Sequence, residues 1–216
     1  MTLRFKPDLP ANGTVLCLGA HCDDIEIGCG GTLVELRERH PELRFVWVVF
    51  SGDVVRERET RAAAMALLGS DANVTVDAHR FRASYFPHFG AEIKDAFESL
   101  RSRVAPDLLM THYLPDRHQD HRVVAELTWN TFRSHAILEY EIPKYEGDLA
   151  HPSVYCSLSS ATVDRKVETL MKCFPSQLSH QWFDAELFRG HLRLRGSECN
   201  SPSRYAEAFH ARKLVI

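Results

Sequence analysis

The chain has 216 residues, a formal net charge of -3, 44% hydrophobic residues and 25% charged residues. That length can bury one sizeable core without disulfide staples, and this balance excludes a long disordered chain. The slight acidity excludes the concentrated basic footprint of a nucleic-acid binder, and no apolar run approaches the roughly twenty residues that span a bilayer.

The chain starts "MTLRFKPDLPANG", without the apolar stretch of a signal peptide, so a cytoplasmic protein is expected. "TVLCLGA" after Asn12 and Gly13 is a continuous apolar run, the pattern of a buried parallel strand. Residues 30–40 then suit a helix ending before Pro41, and "RFVWVVFSG" is a second buried strand. The alanine-rich "RERETRAAAMALLG" predicts a helix stopped by Gly69, "VTVDAHRF" a third strand, and Ile93, Phe97, Leu100 and Val104 the apolar stripe of another helix. "PDLLMTH" is again a strand, followed by a polar loop and the helix "HRVVAELTWNTFRSHA". Next come the runs "ILEYEI" and "SVYCSLS", a helix over Val163 to Cys173 and a polar tail ending "YAEAFHARKLVI". This alternation predicts an α/β fold of Rossmann-like kind, a mainly parallel sheet with helices on both faces. No repeat or composition break divides it, so residues 1–216 are expected to form a single domain.

The six cysteines, Cys17, Cys22, Cys29, Cys156, Cys173 and Cys199, include no CxxC pair. They read as reduced thiols rather than a disulfide framework or a structural zinc knuckle.

The first strand runs into "AHCDDIEIGCGG". In open α/β sheets, ligands bind beyond the carboxyl ends of the strands, which is where His21, Asp23, Asp24 and Glu26 fall. Adjacent carboxylates on a tight loop repel each other unless they share a proton or a cation. Read alone, a DD pair is more often a loop or helix cap, and "GCGG" is more often close helix-strand packing. The stretch does not fit a dinucleotide fingerprint, because acids stand where glycines would meet a pyrophosphate.

A second constellation follows the strand at 108–111: "THYLPDRHQDH", with His112, Asp116, His118, Asp120 and His121. His118 and His121 are three apart and face one way at a helix entry, whereas His40, His79, His135, His151 and His210 read as ordinary surface or core histidines. His112 stays unassigned. Two imidazoles and a carboxylate with one open position form a catalytic zinc set that also serves ferrous iron.

These residues carry a family resemblance. "AHCDDIEIGCGGTL" resembles the AHPDDE motif of the PIG-L/LmbE-like metal-dependent N-acetylglucosaminyl deacetylases, and "HQDH" resembles their HxDH motif. "RERETRAAAMALLG" is similar to their R-x-x-E helix, and "RGSECNSPSRYAEAF" to a tail of bacterial members. The resemblance implies a Rossmann-like fold and removal of acetyl from an N-acetylglucosamine-type sugar, free, nucleotide-linked or conjugated. It implies His21, Asp24 and His121 as ligands of zinc, with ferrous iron the alternative. Asp23 is then the general base, His118 the group facing the developing oxyanion, and Glu26 and Asp120 acceptors that orient the ligand imidazoles. The sequence departs from the motif at Cys22, which replaces proline and puts a thiol near the metal, and at Ile25, which shifts the acid to Glu26.

Arg56, Glu59, Arg195 and Glu198 are candidates for contacting the substrate, each with a surface ion pair as its alternative. The aromatic and basic stretch "SHQWFDAELFRGHLRLRG" reads as a sugar-binding wall or as a homo-oligomer contact. Other readings of the chain are hydrolysis of a larger sugar-linked amide, a non-catalytic metal or sugar binding module, and a nucleotide-binding Rossmann protein.

Overall fold

The computed structural model describes residues 8–69 and 73–213; the first seven residues, used above in the reading of the N-terminus, and the last three of the tail lie outside them. Seven strands form one sheet in the order β3-β2-β1-β4-β5-β7-β6. The parallel core is β1 (Thr14–Gly19), β2 (Arg44–Val49), β3 (Val74–Ala78), β4 (Leu108–His112) and β5 (Ala136–Tyr140). β7 (Ala206–Ala211) runs antiparallel to β5, with Tyr140 opposite Phe209, and β6 (Val154–Ser157) pairs antiparallel with β7.

Helices α1 (Asp24–Arg39), α2 (Val54–Leu68), α3 (Gly90–Arg103), α4 (Gln119–Thr131), α5 (Ser160–Cys173) and α6 (Ala185–Glu198) cover both faces. Side chains alternate across each strand, so β1 sends Val15 and Cys17 to one face and Leu16 and Leu18 to the other. The first set packs with α1, α2, α5 and α6, and the second with α3 and α4. Crossovers therefore change face between β1 and β4, and that switch opens a crevice at their carboxyl ends.

Three elements differ from the sequence expectation. α1 begins at Asp24, six residues before the expected start, so the glycines lie inside the helix. Gly28 lies under the ring of Tyr140, where an added Cβ would come within 2.2 Å of Cδ2, and Gly31 lies against Leu158 and Glu207. They permit close approach of helix to sheet. The stretch read as a sugar wall or oligomer contact forms α6 and its lead-in, and Phe183, Phe188 and Leu192 are core residues. The i, i+4 spacing of Phe188 and Leu192 puts both on the buried stripe. The tail read as polar contains β7, whose Ala206, Ala208 and Phe209 are buried.

Candidate metal centre

The turn between β1 and α1 folds back on itself. The carboxylate of Asp24 accepts the His21 N–H at 2.6 Å, and Asp23 is the N-cap residue, its carbonyl accepting the Ile27 N–H at 3.0 Å. After β4 the chain turns through Asp116 and re-enters a helix at His118, whose Nδ1 accepts the Asp120 N–H at 3.2 Å as the cap of α4. The two turns and the end of β4 gather two overlapping donor sets, His21 with His118 and His121, and Asp24 with His112 and His121.

Hydrogen bonding fixes which ring atoms face inward. Asp120 accepts the N–H groups of Ser84 at 2.5 Å and Phe86 at 3.1 Å, and its Oδ2 lies 3.2 Å from His21 Nε2. Burial would raise the Asp120 pKa, but these bonds outweigh it and lower it, so the carboxylate is an acceptor and His21 Nε2 carries the proton. Ser84 adopts φ 67° to aim its N–H there, an uncommon conformation for a residue with a side chain. Asp116 Oδ2 likewise faces His121 Nδ1 at 3.0 Å. In the neutral imidazoles, His21 Nδ1 and His121 Nε2 are then the lone-pair nitrogens.

They point at each other and at Asp24. The nitrogens are 3.2 Å apart, His21 Nδ1 is 3.3 Å from Asp24 Oδ2, and His121 Nε2 is 3.4 Å from Asp24 Oδ1. Donors at zinc-ligand distances and tetrahedral angles are about 3.3–3.5 Å apart, so these three groups fit a divalent ion. The same demand for positive charge shows in the imidazoles. Burial opposes a charged His21, yet Asp24, Asp120 and Asp23 push its pKa up to about 10, and Asp24 and Asp116 raise that of His121 against burial.

Two other histidines border the same space. His112 Nε2 accepts the Ala20 N–H at 2.9 Å, so its lone pair is engaged although Asp24 Oδ2 lies 3.2 Å away. Burial, with His121 beside it, lowers its pKa to about 4 and keeps it neutral. His118 spends Nδ1 on its cap, which leaves Nε2 as the N–H donor, and burial with His121 and His21 nearby lowers its pKa. Its ring sits 4.5 Å from that of His121 and 4.9 Å from that of His21.

Asp23 lies beside this cluster and pairs with Arg56 at 3.0 Å. Burial pushes its carboxyl up against the pull of Arg56, and Asp24 adds to the rise. Arg56 also meets Glu59 at 3.1 Å and Ser176 Oγ at 3.1 Å, and Glu59 accepts the Ser176 N–H at 2.9 Å and its Oγ at 2.6 Å. Glu26 is fully buried and accepts Thr60 Oγ1 at 3.1 Å; burial holds its carboxyl well above the usual range, and the acceptor opposite His121 is Asp116 instead. Arg195 and Glu198 lie outside the cluster. Arg195 is buried, 2.8 Å from Glu141, 2.8 Å from Glu198 and 3.1 Å from the Ala150 carbonyl. The Cys22 thiol turns to the Ser51 carbonyl at 3.2 Å and packs at Gly52, and burial raises its pKa, so the described ligand groups do not include it.

Residues 16–132 match the family described as PIG-L, GlcNAc-PI de-N-acetylase. The chain belongs to this family. A relative in Escherichia coli K12, the uncharacterized deacetylase YaiS, is 27% identical over 139 residues, 60% of this chain and 74% of its own. Among solved structures, N,N'-diacetylchitobiose deacetylase from Pyrococcus horikoshii is similar with a TM-score of 0.71 and 20% identity, over 92% of this chain and 83% of that one. GalB, the 4-carboxy-2-hydroxymuconate hydratase of Pseudomonas putida KT2440, is similar with a TM-score of 0.70 and 17% identity, over 94% and 98%. At such identities these likenesses establish the fold only, and the two enzymes that share it are described with different reactions.

Proposed function

We propose that this PIG-L family member is a zinc-dependent N-deacetylase acting on an N-acetylglucosamine-type amino sugar. The observation that carries the reading is the convergence of His21 Nδ1, His121 Nε2 and the Asp24 carboxylate within 3.4 Å of one another, atoms that are free to bind an ion when the imidazoles are in the neutral tautomers set by Asp120 and Asp116. Two imidazoles and one carboxylate suit zinc, and ferrous iron is the second choice.

An ion held there supplies Lewis-acid activation of the amide carbonyl and of the attacking water. Asp23 stands next to the ligand Asp24 and takes the proton from that water, then returns it to the departing amine. Arg56 holds the Asp23 carboxylate from the side, braced by Glu59 and Ser176. His118, neutral and with its proton on Nε2, donates to the tetrahedral oxygen as charge develops. That role needs no imidazolium.

The substrate class rests on the family, whose described activity is on an N-acetylglucosamine conjugate. Of the four candidates for substrate contact Arg56 lies nearest the site, against Asp23, and Glu59 is buried behind it and taken up by Arg56 and Ser176. Arg195 and Glu198 are engaged with Glu141 and with each other.

The test is acetate release from a panel of N-acetylglucosamine derivatives by zinc-loaded protein, with Asp23→Asn as control. Acetate from wild type and none from Asp23→Asn supports deacetylation. Cleavage of a longer acyl amide without acetate redirects the reading to a larger amide. Stoichiometric zinc with no hydrolysis anywhere in the panel favours a binding module.

A further inference from the structure

The buried contacts that start at His121 do not end at Asp116. Asp116 Oδ2, 3.0 Å from His121 Nδ1, also accepts from Lys144 Nζ at 2.9 Å, while Asp116 Oδ1 accepts the His118 N–H at 2.7 Å. Lys144 sits on the segment after β5, and its ammonium reaches both oxygens of Asp148, at 2.7 and 2.8 Å, and the Ile142 carbonyl at 3.5 Å. Asp148 in turn accepts the Arg117 N–H at 2.7 Å. One ammonium between two carboxylates thus ties the loops after β4 and β5 together. Side-chain exposure is 8% for Lys144, 2% for Asp116 and 9% for Asp148, so this clip is largely shielded from water.

We infer that Lys144 is a positioning residue for the metal centre: it fixes the Asp116 carboxylate so that His121 presents Nε2 to the cation. The inference rests on the ligand set proposed above. A carboxylate that meets only an imidazole is free to turn about its own axis. Asp116 is held from two further sides, by the His118 backbone and by Lys144, and the second of these comes from a different loop. Partners behind a ligand imidazole set its orientation, and losing one typically weakens metal binding by about 10–100-fold.

Charge and position act in opposite directions here, which makes the inference sharp. The Lys144 ammonium repels a cation through the field, so a residue acting by charge alone would, on removal, tighten metal binding. A residue acting by position would loosen it. A clip that serves the fold alone would lower stability and leave affinity unchanged.

The experiment is competition for zinc between the full-length protein and a chromophoric chelator, for wild type, Lys144→Met, Lys144→Arg and Asp116→Asn. Lys144→Met should bind zinc about tenfold more weakly, Lys144→Arg should recover most of that loss, and Lys144→Met should add nothing in the Asp116→Asn background. Asp148→Asn, which loosens Lys144 without removing it, should show a smaller loss of the same sign and replaces Lys144→Met if that variant does not fold. Unchanged or tighter zinc binding in the Lys144→Met and Asp148→Asn proteins, with wild type binding normally, overturns the positioning role alone. Wild type that binds neither zinc nor ferrous iron overturns the ligand set and this inference with it.

Discussion

His21 Nδ1 and His121 Nε2 face each other across 3.2 Å, each turned inward by an aspartate behind the other nitrogen of its ring. As neutral imidazoles the two present lone pairs that repel, and the Asp24 carboxylate beside them adds to the repulsion. The fold imposes this arrangement from two strand ends that are neighbours only in the folded sheet. Positive charge offsets its cost, either a proton on His21, whose pKa is pushed up to about 10, or a divalent cation, with which the donor set is consistent.

Removing a ligand should therefore remove the metal. Wild type purified without chelators should carry about one zinc or ferrous ion per chain, and Asp24→Ala, His21→Ala and His121→Ala should carry far less. Elemental analysis checks this. Full occupancy in Asp24→Ala would exclude the carboxylate as a ligand.

His112 provides a separate check, because it lies near Asp24 and His121 but gives its lone pair to Ala20. His112→Gln places an amide oxygen where Nε2 accepted that N–H. Metal content should stay close to wild type. A loss as complete as in His121→Ala would make His112 a ligand after all.

The catalytic roles separate from the ligand roles in kinetics. Asp23→Asn should keep its metal and lose about 10²–10⁴-fold in kcat, the span of general-base contributions. His118→Ala should also keep metal and lose about 10²–10³-fold, as for removal of one oxyanion donor. Metal loss in His118→Ala would mean that the ligand and oxyanion roles are exchanged.

Much of this site was legible in the sequence because its groups cluster at two strand ends. His21, Asp23 and Asp24 follow one apolar run and His118 and His121 follow another, so topology alone predicts their meeting. The alternation of strands and helices showed the Rossmann-like sheet for the same reason. What escaped depends on contacts between distant residues. Nothing near Asp116 announces that it, and not Glu26, backs His121, since the partner is decided by the turn before α4. Lys144 and Ser176 act across loops whose register only the packed sheet defines. The start of α1 was missed because glycine lowers helix propensity, and the packing of Gly28 under Tyr140 overrides that preference. Leu192 and Phe188 looked like surface aromatic and aliphatic residues amid arginines, although their spacing was already helical.

Gly28 tests that packing. An added Cβ would lie 2.2 to 2.8 Å from three atoms of the Tyr140 ring, whose hydroxyl donates to the Leu18 carbonyl at 2.7 Å and so resists displacement. Gly28→Ala should destabilise the fold by about 1–3 kcal/mol or more, the range for overpacked cores, despite alanine's better helix propensity. Urea denaturation measures it. A stabilised variant would mean that the ring moves freely.

Glu141 and Arg195 give the pH dependence. Burial would raise the pKa of Glu141, but His191 and His210, the Ala150 N–H and the charge of Arg195 outweigh it and hold the carboxyl well below the usual range. A carboxyl with a depressed folded pKa adds stability above its unfolded value, about 4.3, and that stability is lost as pH falls through the folded value. Arg195→Met leaves the carboxylate buried without its permanently charged partner, the shortest contact at 2.8 Å, an expected loss of about 3–5 kcal/mol at neutral pH. Without the guanidinium, burial and the remaining neighbours decide the folded pKa, which moves up. The variant therefore takes up the proton at higher pH than wild type, and the stability gap narrows on acidification. Denaturant unfolding at a series of pH values reads the gap directly. A gap that stays constant from neutral pH to below about pH 4 would assign the loss to the packing of the arginine stem, not to its charge.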